Sequence, residues 1–245
     1  RKGCLAAGRG FATSSGMASS AHYDTSSLPN PDRAALKRVG AQVRERLAQD
    51  TGIYRFPTEE AEIFALGGFL SPSECERLIA MIDAIARPSQ LHDQDYAKGF
   101  RTSYSGDLDP AHAFVKSVSR RIDDLLGIDP RFGESIQGQR YLPGQEFKPH
   151  NDWFYTDQPY WKLENERGGQ RSWTAMAFLN KVEEGGHTFF PEIEAAIEPE
   201  PGVLLIWNNA LPDGTPNEAT LHAGTPVVKG QKYVLTKWYR TRDWS

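Results

Sequence analysis

Cysteine is scarce: of 245 residues only Cys4 and Cys75 carry a thiol, and no spacing between them suggests a disulfide framework. That scarcity points to a reducing compartment, with the cytoplasm as the expected location. Long apolar runs are missing too. The longest, such as "VLLIW" at 203–207, fall far short of a membrane span and read as buried strands, so no membrane partner is expected. Nor is there a surplus of positive charge; the formal net charge of -4 gives no electrostatic reason to expect nucleic acid. A Gly-rich phosphate loop, a nucleophile elbow and a CxxC pair are all lacking, which removes the usual signatures of several enzyme classes. Only the first 23 residues stand out in composition, being rich in Ser, Ala and Gly, basic at Arg1, Lys2 and Arg9, and free of acids. They read as a leader or flexible tail through residue 29, with an organelle transit peptide as the alternative.

The remaining composition, 39% hydrophobic and 24% charged, is that of an ordinary globular chain with enough length for a substantial core. Three helices are expected in residues 30–133, a helical support region. The first has Asn30 as cap, Pro31 at its first position and Leu36, Val39, Val43 and Leu47 at helical spacing. A short extended piece at 62–66 follows. The second helix carries a capping box, Ser71 with Glu74, and a stripe of Leu78, Ile79, Ile82 and Ile85. In the third, Asp109 is the expected cap, Phe114, Val118, Ile122 and Leu125 form the apolar stripe, and Gly127 terminates it. From residue 134 the pattern changes to short β-like runs, "SIQGQRYL", "WTAMAFLN", "HTFFP", "GVLLIW", "ATLHAG" and "KYVLTKWYR", broken by turn residues. Strands without intervening helices indicate an antiparallel sandwich or barrel at 134–245, packed with the helices as an α+β domain.

"FKPHNDWFYTDQPYW" at 147–161 holds the most informative spacing. His150 and Asp152 flank one residue, so both side chains leave the same face of an extended segment and can grip one cation. The bare pair is weak evidence, since His22 and Asp24 repeat it inside the Ser-rich tail. Context favours 150–152: a strand and a Pro-Gly turn lead into it, and His222, at the end of "ATLHAG", could return beside it. Two imidazoles and one carboxylate on one face of an octahedral metal form the ligand set of non-haem Fe(II) oxygenases. Zinc hydrolases can use the same three donors, and a jelly-roll binding module would need none of them.

Four segments in order, "YLPGQEFKPHND", "EEGGHTFFP", "PGVLLIWNN" and "DGTPNEATLHAGTPVVKGQKYVLTKWYR", together resemble the catalytic domain of the prolyl 4-hydroxylase family of Fe(II)/2-oxoglutarate dioxygenases, over residues 134–240. "FRTSYSGDL" at 100–108 is similar to an upstream segment of the same family. The resemblance implies a double-stranded β-helix, or jelly roll, with His150, Asp152 and His222 as iron ligands. It implies that Lys232, ten positions after His222, binds the distal carboxylate of 2-oxoglutarate, assisted by Tyr141, with Thr174 and Trp238 lining that pocket. Lys229 and Lys237 compete for the role of Lys232, although strand alternation turns Lys237 to the opposite face. For Thr174 and Trp238 plain core packing is an equal reading. The implied reaction consumes O2 and 2-oxoglutarate, releases succinate and CO2, hydroxylates an unactivated C–H bond and uses ascorbate as reductant. Arg101, Trp153, Tyr155 and Trp161 are candidate substrate contacts, the aromatic rings forming a cover over the metal, and "KLENERGGQR" at 162–171 reads as a mobile lid. A prolyl residue in a peptide or protein is the favoured substrate; a free amino acid or small metabolite is the alternative. The oligomeric state has no signature in the sequence.

Overall fold

A computed structural model describes residues 28–89 and 99–244; the Ser-rich tail, with its His22 and Asp24, lies outside them. In chain order the elements begin with α1 (Arg33–Ala48), β1 (Ile53–Arg55), β2 (Ile63–Leu66), α2 (Pro72–Ile85), β3 (Arg87–Pro88), β4 (Tyr104–Asp107) and α3 (Ala113–Leu126). The second half holds β5 (Gln137–Tyr141), β6 (Phe147–His150), α4 (Trp161–Glu166), β7 (Arg171–Phe178), β8 (Glu184–Gly185), β9 (Thr188–Phe190) and β10 (Ala195–Ile197). β11 (Leu204–Asn208), β12 (His222–Gly224), β13 (Val227–Lys229) and β14 (Lys232–Arg240) complete it.

Local chemistry explains where the helices start. Around α2 the capping box forms as expected, with Ser71 Oγ accepting from the Glu74 amide and Glu74 accepting from that of Ser71. α3 ends at Gly127 in the left-handed region, also as expected. Its start differs: His112, not Asp109, is the cap, and Asp109 instead satisfies the Ala111 amide one turn earlier. At α1 the cap is Asp32 and not Asn30, and it gives no side-chain bond to its own helix. Distant partners have taken that carboxylate; it accepts from the Gln170 amide at 2.9 Å and pairs with Arg242.

The strands build two facing layers. An antiparallel eight-stranded sheet runs β1-β2-β11-β7-β14-β5-β4-β3, and a smaller one runs β10-β9-β12-β6. The N-terminal half is therefore more than a helical support, since it contributes both margins of the large sheet. α1, α2 and α3 cover one face of that sheet, where Trp173, Ala175, Leu204, Ile206, Leu235 and Tyr239 meet Val43, Leu78, Ile82 and Ile122. The opposite face meets the small sheet through Tyr141, Met176, Phe178, Phe190, Trp207 and Val234. Alternation along each strand thus sends one set of side chains to the helices and the other into the space between sheets.

On the helix side, packing is close enough to exclude a methyl group at one position. A Cβ on Gly138 would lie 2.3 Å from a carbon of Ile82, because β5 runs directly under α2. Gly138→Ala is expected to cost about 1–3 kcal/mol through overpacking. Denaturant unfolding would show the loss; an unchanged midpoint would mean that α2 shifts without penalty.

Candidate active site

β6 and β12 are antiparallel neighbours with His150 and His222 directly opposite each other in register. His222 therefore opens its strand instead of closing it, because a single 3-10 turn at Glu218–Thr220 replaces the first half of the expected "ATLHAG" strand. The two rings lie 4.3 Å apart, centroid to centroid, and His222 Nε2 is 3.8 Å from Asp152 Oδ2. One donor atom from each of His150, Asp152 and His222 falls within 4.8 Å of the others.

Both imidazoles have their tautomer fixed by the backbone. His150 Nδ1 donates to the Lys148 carbonyl at 2.8 Å, and His222 Nδ1 donates to the Thr220 carbonyl at 2.9 Å. This leaves each Nε2 with a lone pair, the form a metal requires. Although His150 is only partly buried, the protein packed around it and the neighbouring His222 push its pKa down to about 3. At Asp152 burial opposes ionisation, but the nearby His222 and Arg171 outweigh it and hold the carboxyl below its ordinary range. Two imidazole nitrogens beside one carboxylate fit a divalent cation of intermediate hardness.

Across the gap, the large sheet presents Lys232, Tyr141, Thr174 and Trp238 inward. Lys232 is 2% exposed and donates to Thr188 Oγ1 at 3.3 Å. Among the described residues no acidic side chain pairs with it; the rings of Tyr141 and Phe178 lie 5.5 and 5.8 Å away. Burial alone pushes its pKa down to about 7. Its competitors are occupied elsewhere: Lys229 pairs with Glu183 at the surface, and Lys237 faces the helices, bonded to Ser119 and Asp123. Tyr141 sits opposite Lys232 in the β5–β14 register and donates its hydroxyl to Gln139 at 2.8 Å. Thr174 has its hydroxyl turned to Asp152 at 2.9 Å, and Trp238 lies beside it in register, under the Arg171 guanidinium at 4.1 Å.

The substrate candidates separate. Arg101 stays near the histidines, 4.7 Å over the ring of Phe147, which itself stacks on His150 with centroids 3.5 Å apart. Trp153 instead packs with Leu36 of α1 and Ala210, with Tyr155 against that group, so these rings bury the base of the loop instead of forming a free cover. Both also border a shallow recess beside Asp152 that Asn151, Asn209 and Asn217 complete. Trp161 opens α4, partly exposed. The expected mobile lid at 162–171 is a clamped segment: Glu164 accepts from Arg240 at 2.6 Å, Gln170 bonds both backbone groups of Phe154 at 2.8 Å, and Gly168 to Arg171 are buried.

Sequence reasoning missed Arg171, Glu134 and Asn209. Arg171 forms a bidentate pair with Glu134 at 2.8 and 2.9 Å and lies 3.9 Å from Asp152 Oδ1. Nothing local marks these residues, because their side-chain partners are 19 to 106 positions away.

A jelly roll carrying this convergent donor set, with a solitary ammonium facing it, defines the class of 2-oxoglutarate-dependent non-haem iron oxygenases. Comparison with known proteins agrees. The 2OG-Fe(II) oxygenase superfamily profile matches residues 136–240. The chain is 30% identical over 211 residues to probable prolyl 4-hydroxylase 8 of Arabidopsis thaliana, spanning 76% of this chain and 71% of that one. It is 33% identical over 174 residues to prolyl 4-hydroxylase subunit alpha-1 of Gallus gallus, spanning 67% of this chain and 33% of that one. Among solved structures, the viral collagen prolyl hydroxylase of Paramecium Bursaria Chlorella virus-1, in its 2OG complex, superposes with a TM-score of 0.58 at 27% identity, covering 73% of this chain and 95% of the other. The chain belongs to the prolyl 4-hydroxylase family of 2OG-Fe(II) oxygenases. Among the described residues no helix is long and apolar enough to cross a membrane.

Proposed function

We propose that the protein hydroxylates a prolyl residue within a peptide or protein, with His150, Asp152 and His222 holding Fe(II). The observation that carries this reading is the pairing of that donor set with Lys232, a buried cation lacking an acidic partner on the opposite wall. When bound, iron supplies the oxidising power that couples decarboxylation of 2-oxoglutarate to hydroxylation of an unactivated C–H bond. The chain's residues do the rest. The Nε2 atoms of His150 and His222 and the Asp152 carboxylate would hold the metal through three donors, few enough for cosubstrates to reach it as well. Lys232 gives one carboxylate of a small diacid a charge-assisted anchor, and the rings around it keep water out.

For the substrate, the support is the ledge of Arg101 over Phe147 next to His150, a cationic and aromatic surface suited to an extended peptide, together with the collagen-hydroxylating relative. The buried thiol of Cys75 suits the cytoplasm or another reducing compartment.

Fe(II) and 2-oxoglutarate added without oxygen should give a visible charge-transfer band. Admitting air, ascorbate and proline-containing peptides should then add the mass of one oxygen to the peptide, with one succinate formed per oxygen. A band without any peptide gain, but with gain on free proline, would move the substrate to small molecules. Absence of the band would remove the oxygenase reading.

A further inference from the structure

Asp152 is held by more than its future metal. Thr174 Oγ1 donates to Asp152 Oδ2 at 2.9 Å, and a hydroxyl has one hydrogen to give. Committed in this way, it can only accept from its other neighbour, Asn209, whose Nδ2 reaches it at 3.0 Å. This polarity dictates the orientation of the Asn209 amide, at a cost: Asn209 Oδ1 is left buried without a partner. An amide placed only to fill space would be expected to turn that oxygen toward a donor.

The mounting is rigid. Thr174 is 0% exposed and Asn209 3%. Thr174 sits mid-strand in β7 with Trp207 and Trp238 as its register partners on either side. The Asn209 backbone donates to the Ser172 carbonyl at 2.8 Å and accepts from Asn217 at 3.0 Å. Of the other groups at Asp152, His222 Nε2 at 3.8 Å and Arg171 at 3.9 Å lie beyond hydrogen-bond range, and the Trp238 indole, close enough to help hold the carboxyl's pKa down, forms no well-aligned bond; among the described residues Thr174 gives that carboxylate its one short, directional bond.

We infer that Thr174 and Asn209 act as a one-way relay that sets the rotation of the Asp152 carboxylate before metal arrives, making both positioning residues for metal capture. This rests on the iron-centre reading above. It also gives Thr174 a task distinct from lining the 2-oxoglutarate pocket.

Mn(II), which has no oxygen chemistry to complicate the readout, can be titrated into the purified, metal-free full chain. Thr174→Val should weaken Mn(II) binding about tenfold to a hundredfold, and Thr174→Ser should restore it to within about threefold of wild type, the range usual for loss of an outer partner to a ligand. Asn209→Leu, close in volume but unable to donate, should weaken it comparably, while the metal-free protein still unfolds cooperatively. The charge-transfer band with Fe(II) and 2-oxoglutarate should shift in the same variants and return with Ser. Wild-type affinity in Thr174→Val and Asn209→Leu would overturn the relay; if the valine variant does not fold, Asn209→Leu decides alone. A wild-type chain that binds neither Mn(II) nor Fe(II) would overturn the iron centre itself, and the relay with it.

Discussion

Asp152→Ala should leave a folded protein that no longer holds iron. Asp152 is the sole carboxylate in the donor set, and two imidazoles on neighbouring strands give a divalent cation neither charge neutralisation nor a third contact. The loss should exceed the tenfold to hundredfold range that follows removal of an outer partner, reaching at least about three orders of magnitude in Fe(II) affinity. The fold should survive, because Arg171 keeps its bidentate partner Glu134 when the carboxylate disappears. Anaerobic Fe(II) titration together with thermal unfolding of the metal-free protein separates the two effects. Retained iron affinity in this variant would mean that the metal uses other donors.

Replacing Lys232 should do something different: leave the metal in place and weaken 2-oxoglutarate. A charge-assisted bond in a dry site is worth about 1.5–3 kcal/mol, so Lys232→Met should raise the apparent KM for 2-oxoglutarate about tenfold to a hundredfold. The pH dependence follows from the same burial. With its pKa pushed down to about 7 and only Thr188, Tyr141 and Phe178 around it, the ammonium is largely lost above that value in the empty site. Since a carboxylate binds the protonated form, the dissociation constant should be flat below about pH 7 and rise toward tenfold per unit above it. Stability should move the other way. A lysine whose folded pKa lies below its unfolded value destabilises the fold most at low pH, and the penalty fades as pH rises from about 7 toward the ordinary lysine range. Lys232→Met should therefore raise the unfolding midpoint at pH 6 while impairing cosubstrate binding. Lys237→Met serves as the contrast, since Lys237 pairs with Asp123 on the helix side and its loss should leave the KM alone. An unchanged KM in Lys232→Met would assign the anion site to another residue.

Short-range rules carried the reading of the sequence wherever the deciding partners were near in the chain. The Ser71–Glu74 box and the Gly127 terminator work through backbone groups within four positions. Alternation on β14 turns Lys232 toward the small sheet and Lys237 toward the helices, because a period of two leaves no freedom. The His150–Asp152 pair is visible as spacing, and what distinguishes it from His22 and Asp24 is context: the strand and Pro-Gly turn leading into it, and the order of segments over a hundred residues. Expectations failed where a distant group intervened. Asp32 caps α1 without bonding to it because Gln170 and Arg242 claim its carboxylate. Residues 162–171, polar and glycine-bearing, resemble a free loop, but Arg240 and the Phe154 backbone tie them down. Trp153 turned toward Leu36 for the same reason: a helix over a hundred positions upstream offered apolar surface that the loop sequence alone could not reveal.

The placement of β2 against β11, and of β4 against β5, bears on how this chain can be cut. A fragment beginning near residue 134 would contain every proposed ligand and anchor, yet it would bare the flanking amides and carbonyls of two long strands at once. Such open borders recruit other copies of themselves. Anyone trimming the protein to a minimal catalyst would thus obtain precipitate sooner than enzyme, and the seemingly auxiliary opening half of the chain is the selvedge that stops the fabric from fraying.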